Sequence, residues 1–145
     1  MSKPYSVGYT TGVFDLFHVG HLNILRQAKA QCEYLIVGVS TDELVEDYKN
    51  KTPIIPFEQR MAIVGAIRYV DQVVPQTTMD KFAAWENLHF NAMFHGDDWK
   101  GSDLYNQEVE RLQAVGVDTV FLRHTDGISS SQITAKLTNK EDKTK

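Results

Sequence analysis

The sequence predicts an α/β fold, a doubly wound parallel sheet of five strands with helices on both faces. Three observations carry this. Strand-like and helix-like apolar patterns alternate along the 145 residues, the order that builds βαβ units. Tyr34-Leu35-Ile36-Val37-Gly38-Val39 is a nearly continuous apolar run, as expected of a parallel strand covered on both faces. The alternating segment Tyr5, Val7, Tyr9 passes through Thr10-Thr11-Gly12-Val13-Phe14-Asp15-Leu16-Phe17-His18-Val19-Gly20-His21 into Leu22, Leu25, Ala28 and Cys32 at helical spacing. That is a strand, a glycine-bearing turn and a helix start.

The remaining elements follow in order. Ser40, with Glu43 three later, reads as a capping box that starts a helix at the carboxyl end of the second strand. Residues 48–53 are polar and read as a loop. Pro56 opens a helix with Phe57, Met61, Val64 and Ile67 on one face; Arg60 and Arg68 are placed off that face. Val73-Val74-Pro75 is a short third strand, followed by a helix with Phe82, Trp85 and Leu88, capped by Thr77 or Thr78. Ala92-Met93-Phe94 is a fourth strand. Val109, Leu112 and Val115 mark a helix closed by Gly116, and residues 117–122 a fifth strand. A last helical stretch follows. Residues 1–138 are expected to form one domain, and 139–145 a charged, frayed tail.

Composition narrows the class. Hydrophobic content of 42% and charged content of 23% are ordinary for a soluble globular domain. The net charge of −4 leaves no basic footprint for nucleic acid. The single cysteine, Cys32, cannot form an internal disulfide. No signal-peptide pattern opens the chain and no run approaches a membrane span. A cytoplasmic location is expected.

Ligands of such sheets bind beyond the carboxyl ends of the strands. The stretches that follow strands one, two, four and five therefore meet at one edge. After the first strand, unpaired N–H groups and the helix dipole favour an anion. Gly12 allows close backbone approach and Gly20 a tight helix entry. His18 and His21 share a face of the first turn and can donate to phosphate oxygens; the alternatives are surface histidines or half of a metal site. Gly127 to Ser131 offers a second anion site of backbone N–H groups and hydroxyls, or an N-cap with spare serines. Lys49 and Lys51 form either a solvated loop or a pair of cations folded over the ligand edge. Arg68 reads as a surface ion pair or a ligand contact. Gly96-Asp97-Asp98-Trp99 could accept from the exocyclic amine of a base, or form an Asx-type turn packed by Trp99. A P-loop, a spaced G-x-G-x-x-G, a nucleophile elbow and zinc-ligand spacing are all missing from the sequence.

At these residues the chain resembles the H-x-G-H nucleotidyltransferase superfamily, and within it the glycerol-3-phosphate cytidylyltransferases. The matching stretches are residues 12–21, 34–43, 56–75, 96–101 and 125–131, in the family's order. H-x-G-H marks the superfamily; G-D-D-W and T-x-G-I-S-S point to the cytidylyl branch. The resemblance implies a Rossmann-like fold, a homodimer, CTP with Mg²⁺ or another divalent cation, and release of pyrophosphate. It implies that His18 and His21 contact the CTP phosphates. It implies a nucleotide lining of Thr11, Gly12, Val13, Phe14, Asp15, Gly20, Arg68, Gly96, Asp97, Asp98, Trp99, His124, Thr125, Gly127, Ile128, Ser129 and Ser130. Lys49 and Lys51 would meet the α-phosphate or the incoming phosphate. Asp15, Lys49, Lys81 and Trp99 would face the acceptor. No residue is assigned as a protein ligand of a metal. Two positions depart from the pattern: His124 stands where arginine is usual, and Val13 lacks the usual hydroxyl or thiol.

The expected reaction is in-line attack of a phosphorylated alcohol on the α-phosphate of CTP, by positioning and charge stabilisation without a covalent protein intermediate. Glycerol-3-phosphate is the expected acceptor, giving CDP-glycerol, a precursor of teichoic acid or other surface polymers. The rivals are ethanolamine, choline or sugar-alcohol phosphates as acceptor, ATP in place of CTP, and a CTP-binding module without catalysis.

Overall fold

The structure is a computed structural model that describes residues 3–96 and 103–123. The elements run β1 (Tyr5–Gly12), α1 (Val19–Gln31), β2 (Cys32–Ser40), α2 (Asp42–Lys49), α3 (Phe57–Gly65), β3 (Gln72–Gln76), α4 (Lys81–Leu88), β4 (Ala92–Gly96), α5 (Asp103–Gln113) and β5 (Asp118–Leu122). The sheet is parallel throughout, in the order β3-β2-β1-β4-β5. The chain steps outward from β1 through β2 to β3. It then crosses back by α4 to pair β4 on the other side of β1. The strand order therefore reverses between β1 and β4, and the crevice beyond their carboxyl ends is the switch point. The buried Thr10 hydroxyl donates to the Phe94 carbonyl at 2.9 Å, tying the two strands just below that crevice.

Alternation along the central strands makes two cores. Leu35, Val37 and Val39 of β2 face Leu25 and Ala28 of α1 and Val64 of α3. Tyr9, Ile36 and Met93 face the opposite way, onto Phe82, Trp85 and Leu88 of α4 and Leu112 of α5. Pro75 is tolerated in β3 because, among the described residues, that strand pairs only with β2. Among the described residues no helix is long and apolar enough to cross a membrane.

Several boundaries shift from the sequence reading for local reasons. Thr41, not Ser40, caps α2, its side chain accepting from the Leu44 N–H at 3.2 Å. Asp80, not Thr77 or Thr78, caps α4, accepting from Phe82 and Ala83 at 3.0 and 3.3 Å. Cys32 opens β2 instead of ending the helix, and its buried thiol donates to the Ala28 carbonyl. Lys49 is the last residue of α2, so the polar loop begins at Asn50, in left-handed conformation. Ile67 lies beyond the end of α3.

Gly8 marks a close approach: a Cβ there would collide with the Phe94 ring and the Cys32 sulfur. Both belong to a packed core, so Gly8→Ala is expected to destabilise the fold by about 1–3 kcal/mol, read from urea unfolding midpoints.

Candidate active site

Beyond Gly12 the chain turns sharply, with Phe14 and Leu16 at φ of 56° and 50°. Left-handed backbone costs a bulky residue about 1–2 kcal/mol. For Phe14 this is offset by burial of its ring against the core, worth about 1.5–3 kcal/mol.

The turn delivers His18 to the N-cap of α1. Its Nδ1 accepts from the Gly20 N–H at 3.0 Å, and the His18 N–H donates to His21 Nδ1 at 3.2 Å. The two imidazoles thus form a reciprocal capping box. The rings stack with centroids 3.9 Å apart. Phe14 and Phe17 pack on His21 at 5.4 and 5.2 Å. Because each Nδ1 accepts an N–H, each neutral ring carries its proton on Nε2. Burial, reinforced by His18 and opposed by Asp15, pushes the His21 pKa down to about 3. His21 is therefore a neutral donor at physiological pH.

Asp15 accepts from the N–H groups of Ile54 and Ile55 at 2.8 and 2.9 Å. Its carboxylate thus docks the loop after α2 onto the histidine turn. Lys49 lies close enough to feel Asp15 and Lys51; burial and Lys51 lower its ammonium pKa, and Asp15 opposes them. The histidines, Asp15, Lys49 and Lys51 therefore gather at one edge.

Lys81 reaches the same rim from the other face. It is the first residue of α4 and only 3% exposed. Burial lowers its pKa, opposed by Glu108 and Asp80. His95, at the end of β4, is pushed to about 3 by burial and by Lys81, and burial lifts Glu108 to about 7. This cluster was not foreseen apart from Lys81, because its members are far apart in sequence. Thr11, Gly12 and Gly96 end β1 and β4 beside the switch point.

The two arginines of the α3 region stand in different settings. Arg68 follows α3 and precedes β3, so it lies toward the amino-terminal edge of the sheet, away from the histidines. It is exposed, with its guanidinium donating to the Tyr69 hydroxyl at 3.3 Å. Arg60, placed off the apolar face of its helix by the sequence reading, is fully buried. It donates to the carbonyls of Ile55, Val13 and Ser40 at 2.9, 2.8 and 2.7 Å and pairs with Asp42 at 2.5 Å. The signal was present in the spacing: Arg60 is three after Phe57 and four before Val64, on the same stripe. Asp97, Asp98, Trp99, His124, Thr125, Gly127, Ile128, Ser129 and Ser130 lie outside the described residues.

A helix N-terminus capped by paired imidazoles at a switch point suits an oligophosphate. The model of the family described as cytidylyltransferase-like matches residues 9–136. This chain belongs to the cytidylyltransferase-like family. It is 35% identical over 136 residues to a glycerol-3-phosphate cytidylyltransferase of Staphylococcus aureus (strain NCTC 8325 / PS 47), covering 92% of this chain and 96% of that protein. It is 36% identical over 140 residues to an ethanolamine-phosphate cytidylyltransferase of Dictyostelium discoideum, covering 89% of this chain and 37% of that protein. Among solved structures, the lipopolysaccharide core biosynthesis protein of Thermoplasma volcanium GSS1 superposes with a TM-score of 0.70 at 22% identity, over 83% of this chain and 97% of that one. That likeness is one of fold.

In this cytidylyltransferase-like chain His21 and His95 both resist protonation, so the native state binds fewer protons than the unfolded chain below the unfolded histidine value of about 6.5. Their contribution is fully present above that pH. It is lost as pH falls from about 6.5 toward 3, at up to about 1.4 kcal/mol per pH unit for each. Urea midpoints measured across this range should fall with pH, and less steeply in His95→Gln. Arg60→Leu leaves three carbonyls and Asp42 without their donor; a loss of about 3–5 kcal/mol is expected in the same assay.

Proposed function

We propose that the chain transfers CMP from CTP to a small phosphorylated alcohol, foremost glycerol-3-phosphate, giving CDP-glycerol and pyrophosphate. The observation that carries this is the pair of stacked imidazoles capping α1 at the switch point. The near full-length similarity to a glycerol-3-phosphate cytidylyltransferase supports the choice of acceptor.

In this reading an oxygen of the acceptor phosphate attacks the α-phosphorus of CTP. The bond from that phosphorus to the bridging oxygen breaks, and pyrophosphate leaves with the electron pair. The attacking phosphate is already ionised, so no protein base has to remove a proton. The Nε2–H groups of His18 and His21 donate to phosphate oxygens as charge builds on them, at the positive end of the α1 dipole. Lys49 and Lys51 neutralise the α-phosphate and the incoming phosphate, and Lys81 approaches the acceptor from the opposite face. Thr11, Gly12 and Gly96 line the nucleotide with the stretches after β4 and β5, and Asp97, Asp98 and Trp99 meet the base and acceptor.

Among the described residues no group of three His, Cys, Asp or Glu side chains is placed to hold a metal ion. Asp15 is occupied by loop N–H groups and each histidine Nδ1 by the helix cap. A divalent cation would then arrive on the triphosphate and keep mainly phosphate and water ligands. Such a cation, carried on CTP, supplies neutralisation of the leaving pyrophosphate. A cytoplasmic homodimer that feeds synthesis of a surface polymer such as teichoic acid completes the proposal.

Ethanolamine phosphate is the second reading for the acceptor, favoured by the similarity to the Dictyostelium discoideum protein. A pyrophosphate-release assay with CTP or ATP against a panel of phosphorylated alcohols tests both substrates at once. Release with CTP and glycerol-3-phosphate is expected, and preference for ATP or silence with every acceptor would refute the proposal. Removing one donor to a developing charge costs about 3 kcal/mol. His18→Ala and His21→Ala should each lower kcat about a hundredfold or more, with the fold intact by circular dichroism.

A further inference from the structure

Helix α5 sets a carboxyl group within the field of the Lys81 ammonium, and the transfer chemistry gives that group no role. Leu112 of α5 is buried in the core it shares with Phe82, Trp85 and Leu88 of α4. Glu108 lies one turn before Leu112 and so on the same side of its helix. Arg111, three residues after Glu108, stands 3.7 Å from Asp80 and over the Phe82 ring at 4.8 Å. This side of α5 therefore looks onto the start of α4, where Lys81 is the first residue.

Lys81 is only 3% exposed, and a buried ammonium is costly unless a counter-charge meets it. Two carboxylates act on it, Glu108 foremost and Asp80 second. Asp80 is already engaged. Its Oδ1 caps α4 by accepting from the Phe82 and Ala83 N–H groups, it pairs with Arg111, and at 44% side-chain exposure it is screened by water. Burial and Lys81 hold His95 at about 3, so it brings no charge to the cluster near neutral pH. Glu108 is left as the enclosed partner. Its Oε1 is shut off from water and has no hydrogen-bond partner among the described residues. Burial lifts its pKa to about 7; Lys81 and Arg111 oppose the rise and Asp80 adds to it. Each charged form in this pair is sustained by the other.

We propose that Glu108 is a positioning residue for the transfer: its carboxylate keeps the Lys81 ammonium charged at the rim, where it meets the phosphate of an incoming substrate. The part played by Lys81 rests on the transferase reading; the pairing with Glu108 does not. The sign in pH follows from the two groups together. At acid pH Glu108 is neutral, and Lys81 holds its proton unaided. As pH rises the proton becomes harder to hold, and Glu108 is by then ionised. Removing the carboxylate should therefore act on the alkaline side alone.

The test reads Lys81 directly, in the full chain carrying ¹³C at lysine Cε. The Lys81 signal, assigned by its loss in Lys81→Met, is titrated in the wild type and in Glu108→Gln. Its midpoint should fall by about one pH unit or more in Glu108→Gln, the scale set by a nearby opposite charge, and Glu108→Asp should restore most of the difference. An unchanged midpoint in Glu108→Gln, or one that Glu108→Asp fails to restore, overturns the proposal. In turnover with CTP and glycerol-3-phosphate, Glu108→Gln should match the wild type at about pH 6 and show an acceptor KM raised about fivefold or more at about pH 9, with the KM for CTP unchanged. A loss equal at every pH is the mark of a purely structural role and overturns the proposal too. If Glu108→Gln does not fold, the reciprocal measurement takes its place: the Glu108 carboxyl ¹³C signal should titrate higher in Lys81→Met, because the linkage is symmetrical, and no movement counts against the pair. Failure of the wild type to release pyrophosphate with any acceptor sinks the transferase reading instead, and the titrations, which need no turnover, still decide the pairing.

Discussion

The guanidinium of Arg60, closed off from solvent, reaches four groups on three stretches of chain. It holds the carbonyl of Val13 in the histidine turn, that of Ser40 at the end of β2 and that of Ile55 before its own helix, and it pairs with Asp42. A buried charge is tolerable only when paired and fully hydrogen-bonded. Here those requirements coincide with the geometry of the rim, because the acceptors are loops that carry functional groups. Asp42 extends the clamp by accepting from the Phe57 N–H at the start of α3. Lysine could not replace this device, since an ammonium lacks the planar fork that spans divergent acceptors.

From that clamp the rest of the rim follows. With Val13 held, the turn brings His18 to the N-cap, and Asp15 in the same turn anchors the loop after α2 by two N–H groups. The imidazoles then serve the helix start through one ring nitrogen each. Each Nδ1 satisfies a backbone N–H that would otherwise be an orphan of the helix start. That fixes the tautomer and leaves Nε2 as the donor. Helix capping therefore sets the tautomer of both rings, and a residue that caps equally well, such as serine, would carry no ring N–H.

The overall architecture was legible because period and order survive in sequence. Alternating apolar patterns located all five strands, and the strand-turn-helix context singled out His18 and His21. Registers within polar stretches were less legible. Ser40 and Thr41 both carry a hydroxyl before an acidic first turn, and only the demand for a side-chain partner to Gln76 draws Ser40 away from capping. Arg60 was discounted because a charge on an apolar stripe looks like a break in the stripe; the carbonyls that justify it come from distant segments. Spacing also does not say which edge of the sheet a connection occupies, and Arg68 falls in the connection from α3 to β3. Lys81, His95 and Glu108 come together only once α4, β4 and α5 are in place.

The two faces of the rim contribute unlike chemistry. On the α1 face stands a neutral donor, since burial keeps His21 uncharged. Cations flank it: Lys49 and Lys51 gather with it beside Asp15, and Lys81 stands at the start of α4 with Glu108 and Asp80 as its acidic neighbours. Lys49 and Lys81 are both lowered by burial, and Lys49 further by Lys51. Burial thus disfavours their charged forms beyond what their acidic neighbours restore. A polyanion entering there supplies the missing counter-charge and gains more than it would from solvated lysines of ordinary pKa. A chain of net charge −4 can in this way favour an anion locally. The favourable charge is held in a few partly desolvated groups at one edge, where the low dielectric makes each of them count for more.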